Sequence, residues 1–424
     1  MTSLALRAGV PKRVLLVGMC FLATMLCYID RVNISVAVIP MAAEFGWSQA
    51  TKGSVLSSFF IGYLLLMTPG GWLAGRYGGR LVLGVALTAW SLFTVLTPLA
   101  AGTSFAALIA VRILMGMGEA ANFPAIIALY ARWLVPAERT RAVSAMFAGI
   151  PAGTVLGLSA SGLLVEDYGW QAAFYVFGGI GLVFAVLWFA VVHATPAVHP
   201  TITVAERAGL AEIDDFDSKP VPMPWGQLLR LKPVWAIVIN HTTTTWLLYL
   251  MLTWLPSYFH DVQHLATAKS GLFSALPWLT AMITGPLVGG FADRWVARGA
   301  SITLVRKTMQ TTAMLGVAGG MLLASQVSGA NAALAVLCLT MAFYSFSSSG
   351  FACNHLDIAP RHAAALYGFT NTFATIPGIV GVAITGWLLD LTGTYTATFL
   401  LAAGVALLGA ISWLAWASGE KLVD

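Results

Sequence analysis

Two acids and two arginines fall inside long apolar segments of the sequence: Asp30, Arg31, Arg112 and Glu119. A charge at the centre of a membrane-spanning helix costs about 2.5–3.5 kcal/mol on insertion scales, so such residues face a bundle interior or water and form pairs. An arginine guanidinium offers a planar fork to a carboxylate, so two arginines in one apolar cavity predict an anionic substrate. A carboxylate near an arginine is a candidate proton site, because its protonation depends on whether the arginine is occupied.

The two arginines are predicted to lie at a similar depth in the outer half of a membrane. At about 1.5 Å per residue, Arg31 lies about 25 Å along the first predicted span and Arg112 about 10 Å below the outer end of the fourth. Glu119 follows Arg112 by nearly two turns, so both side chains point to one face, with Glu119 about 10 Å deeper. Asp30 points about 100° away from Arg31, and we expect it to reach a neighbouring helix.

The composition requires a membrane around these charges. The chain has 424 residues, of which 58% are hydrophobic and 9% are charged, whereas soluble domains carry roughly 25% charged residues. This excludes an ordinary soluble enzyme, and segments of about 20 apolar residues predict membrane-spanning helices. The predicted fold is an all-α membrane protein with twelve spans, at about 14–38, 53–74, 81–101, 105–130, 142–164, 170–192, 233–258, 270–291, 307–326, 331–353, 364–388 and 395–417.

The basic residues predict how the spans are oriented. Of the 22 lysines and arginines, only Lys52 and Lys269 fall on one side of the predicted membrane, and only Arg31 and Arg112 fall inside spans. Cytoplasmic loops carry the excess of lysine and arginine in membrane proteins. Both termini are therefore expected in the cytoplasm.

The twelve spans divide into two halves of six. The longest polar stretch, at about 193–230, is expected to be a solvated cytoplasmic loop. It separates an N-terminal six-helix bundle in 1–192 from a C-terminal six-helix bundle in 231–424. Short motifs of the first half recur in the second half in the same order and at a nearly constant offset. Parallel repeats of this kind place the substrate site at their interface, near the middle of the membrane.

The loop after the second span resembles the signature loop of the major facilitator superfamily. The pattern is carried by Gly71, Arg76, Gly78 and Arg80, although Gly75 stands where the usual acid would be. A tight glycine turn places the arginines near helix ends, where they can engage helix dipoles. The resemblance implies a conformational latch, with gating roles expected for Gly71, Arg76 and Arg80 and, in the second copy of the motif, for Asp293 and Arg294.

Longer strings resemble the anion:cation symporters of that superfamily, which include bacterial sugar-acid carriers, sialin and the vesicular glutamate transporters. The strings are Asp30-Arg-Val-Asn-Ile-Ser-Val-Ala37, Arg112-Ile-Leu-Met-Gly-Met-Gly-Glu119 and Asn354-His-Leu-Asp-Ile-Ala-Pro-Arg361. The resemblance implies proton-coupling roles for Asp30 and Glu119, and substrate-binding roles for Arg31, Arg112, Tyr28, Tyr63, Ser348 and Asn371. Because Asp30 matches the bacterial carriers rather than sialin, the bacterial inner (plasma) membrane is the expected location.

Several other polar residues are open to two interpretations. His355 lies beside Asp357 and near Arg361 at the end of the tenth span, where a gate contact is favoured over a proton relay. The hydroxyl cluster Ser345–Ser349 suits substrate binding and helix packing equally. His241 lacks the spacing of a metal ligand, so no metal site is expected.

The expected function is proton-coupled symport of a small organic anion by alternating access, with a carboxylate such as a sugar acid or an aromatic or dicarboxylic acid as substrate. The proton is the coupling ion, and no other cofactor, metal or nucleic acid is expected. The protein is expected to act as a monomer in the lipid bilayer. A proton-driven antiporter that exports drugs or metabolites is the first alternative, which two cavity arginines disfavour. A non-transporting membrane sensor is the second, and the lack of any catalytic motif argues against an enzyme.

Overall fold

The computed structural model of the chain describes residues 11–210 and 224–423. All regular structure in these residues is helical. The acidic part of the predicted central loop, with Glu212, Asp214, Asp215 and Asp217, lies outside the described residues. The α-helices are α1 Lys12–Phe45, α2 Gln49–Tyr77, α3 Gly79–Thr103, α4 Phe105–Ala120, α5 Asn122–Trp133, α6 Pro136–Tyr168, α7 Trp170–Val191, α8 Val204–Gly209, α9 Trp225–Leu228, α10 Lys232–Thr253, α11 Leu255–Asp261, α12 Thr267–Ala297, α13 Ile302–Ala324, α14 Ala330–Tyr344, α15 Phe351–Ile358, α16 Ala363–Thr392 and α17 Thr396–Trp416.

Ten helical segments in the described part of the chain are long and apolar enough to cross a membrane. They correspond to ten of the twelve predicted spans, with α4 and α5 together forming one segment and α14 to α15 another. The other two predicted spans correspond to α10 and α13, which have 22 and 23 residues. Four threonines and His241 lower the mean hydropathy of α10, and Arg306 and Lys307 lower that of α13.

Close packing divides the chain into two compact units. Four long helices, α1, α2, α6 and α7, have one end in each unit. The boundaries expected at residues 192 and 231 rest on the sequence repeat and stay a prediction. The first unit contains Met1–Arg31, Ile61–Gly153 and Phe174–Lys219, and the second contains Val32–Phe60, Thr154–Ala173 and Pro220–Asp424.

The fourth predicted span is interrupted directly after one of the intramembrane acids. Helix α4 ends at Ala120, one residue after Glu119, and α5 begins at Asn122. Pro124 explains the interruption, because proline has no N–H to donate to the carbonyl of Ala120 four residues earlier. The sequence placed Pro124 inside a continuous span, whereas the structure has a joint beside the acid.

The tenth predicted span is also divided, at the hydroxyl cluster. A 3-10 turn, Ser345–Ser348, separates α14 from α15. Within this turn the Ser348 hydroxyl donates to the Ser345 carbonyl at 2.8 Å, and the Ser345 hydroxyl lies 2.8 Å from that of Thr284 on α12. Serine hydroxyls that bond to their own backbone compete with regular helix hydrogen bonds. The cluster therefore shapes the backbone of this span.

Small residues set how closely the helices of the first unit approach each other. A Cβ atom built on Gly178 of α7 would lie 2.6 Å from a methyl carbon of Val95 and 2.9 Å from the Ser91 carbonyl, both on α3. The next residue, Gly179, has no atom within 4 Å of such a Cβ. Gly178 thus permits a close helix contact of the kind that small residues provide in membranes, whereas Gly179 does not face one.

We expect Gly178→Ala to destabilise the protein by about 1–3 kcal/mol, because the added methyl group overfills the α3–α7 contact. Gly179→Ala is the matched control, and it should be neutral or slightly stabilising because alanine favours a helix over glycine. Thermal unfolding of the purified protein measures both effects. Equal changes in the two variants would contradict the assigned contact.

Candidate functional site

A buried ion pair between α1 and α4 lies at the centre of the candidate site. Both the Nε and the Nη2 atoms of Arg31 lie 2.9 Å from the Oε2 atom of Glu119. The two side chains are 4% and 0% exposed, so water screens their attraction very little. Of the four intramembrane charges, the structure therefore pairs these two directly.

The two oxygens of the Glu119 carboxylate have different surroundings. Oε2 accepts both contacts from Arg31 and a further one from the Cys27 thiol at 3.2 Å. Oε1 is buried and has no hydrogen-bond partner within the described residues. The carboxylate is thus saturated on one oxygen and has an open position for a proton on the other. Sequence analysis missed Cys27, although its position one helical turn before Arg31 was the available signal.

Two tyrosines form aromatic walls around the Arg31 guanidinium. Its central carbon lies 4.5 Å from the ring centre of Tyr28 and 4.9 Å from that of Tyr63, on α2. Cation–π contacts at this distance hold a guanidinium in a fixed orientation. The structure thus brings Tyr28 and Tyr63 together with Arg31. The substrate-binding roles that the family resemblance implies for the two tyrosines stay predictions.

Arg112 is buried on α4, close enough to Glu119 for an electrostatic interaction. It is 1% exposed, and its Nη1 atom lies 3.2 Å from the Met115 sulfur, one turn further along α4. The sequence placed Glu119 about 10 Å deeper than Arg112, and it did not predict the direct contact between Glu119 and Arg31.

Asp30 faces away from the ion pair, as its helical position predicted. Its carboxylate is directed toward the Trp90 indole on α3 and approaches Gly181 on α7. The residue is 1% exposed, yet neither oxygen meets a donor at hydrogen-bonding geometry within the described residues. Burying a carboxylate without such donors favours its neutral form. Asp30 and Glu119 thus form two separate carboxylate sites in the first unit.

The other two expected substrate-binding residues belong to the second unit. Ser348 is exposed on the 3-10 turn, where its hydroxyl donates to the backbone. Asn371 is half-buried on α16, and its carbonyl accepts a hydrogen bond from Thr375 at 2.9 Å. Their roles in binding stay predictions.

The signature loop fixes the ends of two helices in the first unit. Gly78 adopts a left-handed backbone conformation with φ of 83° between α2 and α3. The Arg80 guanidinium donates to the carbonyls of Phe189, at 2.8 Å, and Val192. These carbonyls lie at the end of α7, where a cation complements the helix dipole. Arg76 instead lies over the rings of Trp72 and Tyr77, so Arg80 makes the dipole contact that the sequence predicted for the loop.

In the second unit, Asp357 pairs with an arginine that the sequence analysis did not single out. Asp357 binds Arg306 of α13 through two contacts of 2.6 and 3.2 Å, and Asp293 lies close enough to act on Arg306 electrostatically. His355 bonds to Thr370 rather than to Asp357. Because α13 is far from α15 in sequence, no local spacing revealed Arg306.

Arg294 lies in the last turn of α12, and Arg361 is exposed on the 3-10 turn Pro360–His362. The gating roles expected for these two residues, and for Gly71, stay predictions. Gly71 lies inside α2, where an added Cβ would meet only Pro124, at 3.9 Å.

Within the second unit, acids tie together segments from both halves of the sequence. Asp390 of α16 accepts the backbone N–H groups of Gln49 and Ala50, each at 2.9 Å, at the start of α2. Glu166 of α6 accepts the N–H of Ala268, at the start of α12, at 2.7 Å. The first turn of a helix has unsatisfied N–H groups and a partial positive charge, so a carboxylate binds there favourably. We name these two contacts the capping latches.

A third contact within the second unit joins two side chains. The Lys52 ammonium, 4% exposed, lies 3.4 Å from Asp261, which also contacts His260 at 2.8 Å. Burial raises the pKa of Asp261, but the hydrogen bond from His260 and the Lys52 charge outweigh it, so this pKa lies below its ordinary value. Stability from a carboxylate with a lowered pKa is present above its unfolded value of 3.8 and is lost only at lower pH. The Asp261 carboxylate therefore stays ionised across the neutral pH range.

The chain is similar to known membrane transporters. The family model described as Major Facilitator Superfamily matches residues 20–382. The sodium-dependent phosphate transport protein 1, chloroplastic, of Arabidopsis thaliana is 39% identical over 98% of this chain and 81% of its own length. The ascorbate transporter, chloroplastic, of the same plant is 38% identical over 98% and 76%. Sialin of Ovis aries is 39% identical over 89% and 77%.

Solved structures agree on the fold. An inward-facing, occupied bacterial homolog of the human lysosomal transporter Spinster superposes with a TM-score of 0.77 at 16% identity, covering 96% of this chain and 97% of its own. A D-xylose-proton symporter gives 0.74 at 16% identity, covering 96% and 99%. The likeness confirms the predicted all-α membrane fold of two pseudo-symmetric six-helix bundles. The relatives named above are chloroplastic carriers and an animal sialin, so they give no support to the bacterial inner membrane that the sequence suggested.

We expect Asp261→Asn to lower the free energy of unfolding by about 1–3 kcal/mol, because it leaves the buried Lys52 ammonium without its counter-ion. Lys52→Met alone should cost less, and the double variant Lys52→Met/Asp261→Asn should recover most of the loss. Thermal unfolding of the three variants closes a double-mutant cycle. Additive losses would show that the two side chains do not stabilise each other.

Proposed function

The chain belongs to the major facilitator superfamily and, within it, to the anion:cation symporters, which are carriers rather than enzymes, and we propose that it imports a small organic anion together with protons. The Arg31–Glu119 pair is the observation that carries this proposal. Its geometry makes a substrate carboxylate and the Glu119 carboxylate competitors for one guanidinium. A proton decides the competition, because a neutral Glu119 no longer balances the charge of Arg31.

The proposed cycle begins with the closed ion pair. A proton binds to the open Oε1 atom of Glu119, which weakens the hold of Oε2 on Arg31. The guanidinium, still oriented by Tyr28 and Tyr63, then binds the substrate anion through paired hydrogen bonds. After the carrier opens to the other side, the anion leaves. Arg31 recaptures Glu119, and the proton departs because the ionised carboxylate is again paired.

Asp30 provides the second proton site of this proposal. Its isolation from direct donors favours a proton at rest, and Arg112 and Glu119 lie close enough to act on it electrostatically. Arg112 lies close enough to Glu119 and Asp30 to act on both electrostatically, and it adds positive potential beside the anion. The two arginines thus attract one anion, while two carboxylates take up protons with it.

The substrate we propose is a carboxylate rather than an inorganic anion. The guanidinium lies between two aromatic rings, and apolar walls with a few placed polar groups are typical of sites for organic ligands. One relative is named as an ascorbate transporter and another as a phosphate transport protein, so inorganic phosphate is the comparison to test. We further propose cytoplasmic termini, a monomeric carrier and the proton as coupling ion.

The coupling is tested with purified protein in proteoliposomes. We expect an inward proton gradient to drive accumulation of a radiolabelled carboxylate, and a sodium gradient at constant pH to have no effect. Glu119→Gln should keep anion exchange but lose gradient-driven accumulation, because the amide cannot take up the proton. Accumulation by Glu119→Gln equal to that of the wild type would remove Glu119 from the coupling mechanism.

Substrate recognition is tested at Arg31. We expect Arg31→Lys to raise the KM for carboxylate exchange at least about tenfold, since lysine cannot present the planar fork. Arg141→Lys, at an exposed arginine of α6, is the matched control and should leave the KM unchanged. Competition by a panel of carboxylates and by inorganic phosphate ranks the substrates. Stronger competition by phosphate than by every carboxylate would contradict the proposed class.

A further inference from the structure

Two buried histidines in the second unit share one hydroxyl group. The Nδ1 atom of His241, on α10, lies 3.0 Å from the Thr370 hydroxyl, and the Nε2 atom of His355, on α15, lies 2.9 Å from it. The two histidines are 4% and 2% exposed, and Thr370 on α16 is fully buried. Three helices therefore meet at a single oxygen atom through two titratable rings.

The hydrogen bonds assign the protons of this cluster. The Nδ1 atom of His355 lies 3.2 Å from the Ala352 carbonyl, which can only accept, so Nδ1 carries a proton. In a neutral His355, Nε2 is then bare and accepts the hydroxyl proton of Thr370. The hydroxyl oxygen in turn accepts from Nδ1–H of His241. Each of the three side chains is satisfied with one proton on each ring.

A further proton fits this cluster without breaking either histidine contact. If it binds to Nε2 of His355, that nitrogen becomes a donor to Thr370. The hydroxyl proton then turns to the carbonyl of Tyr367, which lies 3.1 Å away and is already oriented to accept it. One N–H bond forms and one O–H rotates, so the same three side chains have two satisfied arrangements that differ by one proton.

The charged surroundings of the cluster are simple within the described residues. From α16 the titratable group that faces it is Tyr367, whose ring centre lies 5.3 Å from that of His241 and 5.4 Å from that of His355. Asp357, two residues after His355 on α15, is bound to Arg306 of α13. Phe351 covers the His241 ring at 5.0 Å. The two histidine rings thus lie among aromatic side chains, and within the described residues no carboxylate is bonded directly to either ring.

We propose that His241, His355 and Thr370 form a proton-binding site of the second unit, separate from the carboxylates Asp30 and Glu119. When a proton binds to this site, the Thr370 hydroxyl changes its hydrogen-bond acceptor. The hydrogen bonds that join α16 to α10 and α15 change with it. The site makes the rate of transport depend on pH independently of proton coupling. Histidine suits this task because its charge ordinarily changes near pH 6.5.

The direct test is a titration of the histidines by NMR, which requires no knowledge of the substrate. The chain has 7 histidines, so ¹³C-labelled histidine gives a small set of resonances that single variants assign. We expect the His241 and His355 resonances to move with one shared inflection between about pH 4 and 8. His355→Gln should alter the inflection of His241, whereas His264→Gln, at an exposed histidine, should not. Two resonances that stay constant over this range would overturn the proposal.

The transport test uses anion exchange at equal pH on both sides of the membrane, so that no proton gradient contributes. We expect Thr370→Val to flatten the histidine-range part of the pH profile, because the methyl group cannot bridge the rings. Thr370→Ser retains the hydroxyl and should retain the profile, which separates the bridge from any effect on folding. An unchanged profile in Thr370→Val would overturn the proposal. Loss of accumulation in Glu119→Gln tests the coupling mechanism instead, so the two proposals fail separately.

Discussion

The buried ion pair between Arg31 and Glu119 is the interaction on which the proposed mechanism of this protein depends. Arg31 and Glu119 are each too costly to bury alone, and the low dielectric that penalises a single charge strengthens the attraction between the two. Any event that neutralises one partner therefore frees the other with a large driving force. In the proposed mechanism, a proton and an organic anion are the two species that do so, since one neutralises Glu119 and the other satisfies Arg31. Coupling in that mechanism follows from the shared contact and needs no long-range signal.

The two residues of this pair lie on different kinds of backbone. Helix α1, which carries Arg31, is continuous, whereas the span that carries Glu119 is interrupted. Arg31 lies in the middle of a long uninterrupted helix and is packed between two tyrosine rings. Glu119 lies at the end of α4, where Pro124 interrupts the hydrogen-bond ladder. A second interruption, at the 3-10 turn Ser345–Ser348, lies in the corresponding span of the second half. Discontinuous helices of this kind line the sites of many secondary transporters.

The sequence predicted the residues of the site better than their partners. Asp30, Arg31, Arg112 and Glu119 stood out because charge is rare in an apolar segment, and the all-helical fold followed from segment length. The Arg31–Glu119 contact escaped prediction, since depth counted along two helices carries the error of each starting point. Arg306 escaped because its partner Asp357 lies on another helix, and helical periodicity reports only on neighbours within one helix. His241 and His355 looked unrelated for the same reason, although both meet at Thr370.

The capping latches of the second unit have an unusual genetic property. In each of them one partner is a carboxylate, from Asp390 or Glu166, and the other is main-chain N–H at the start of a helix. Substitution at residues 49, 50 or 268 keeps those N–H groups unless proline is introduced. Each latch is therefore lost by substitution at one position only, that of the acid. Such contacts leave no correlated pair of substitutions as homologous sequences diverge. Methods that infer contacts from covariation are blind to them, and only an atomic structure reveals how the two halves of the sequence are joined there.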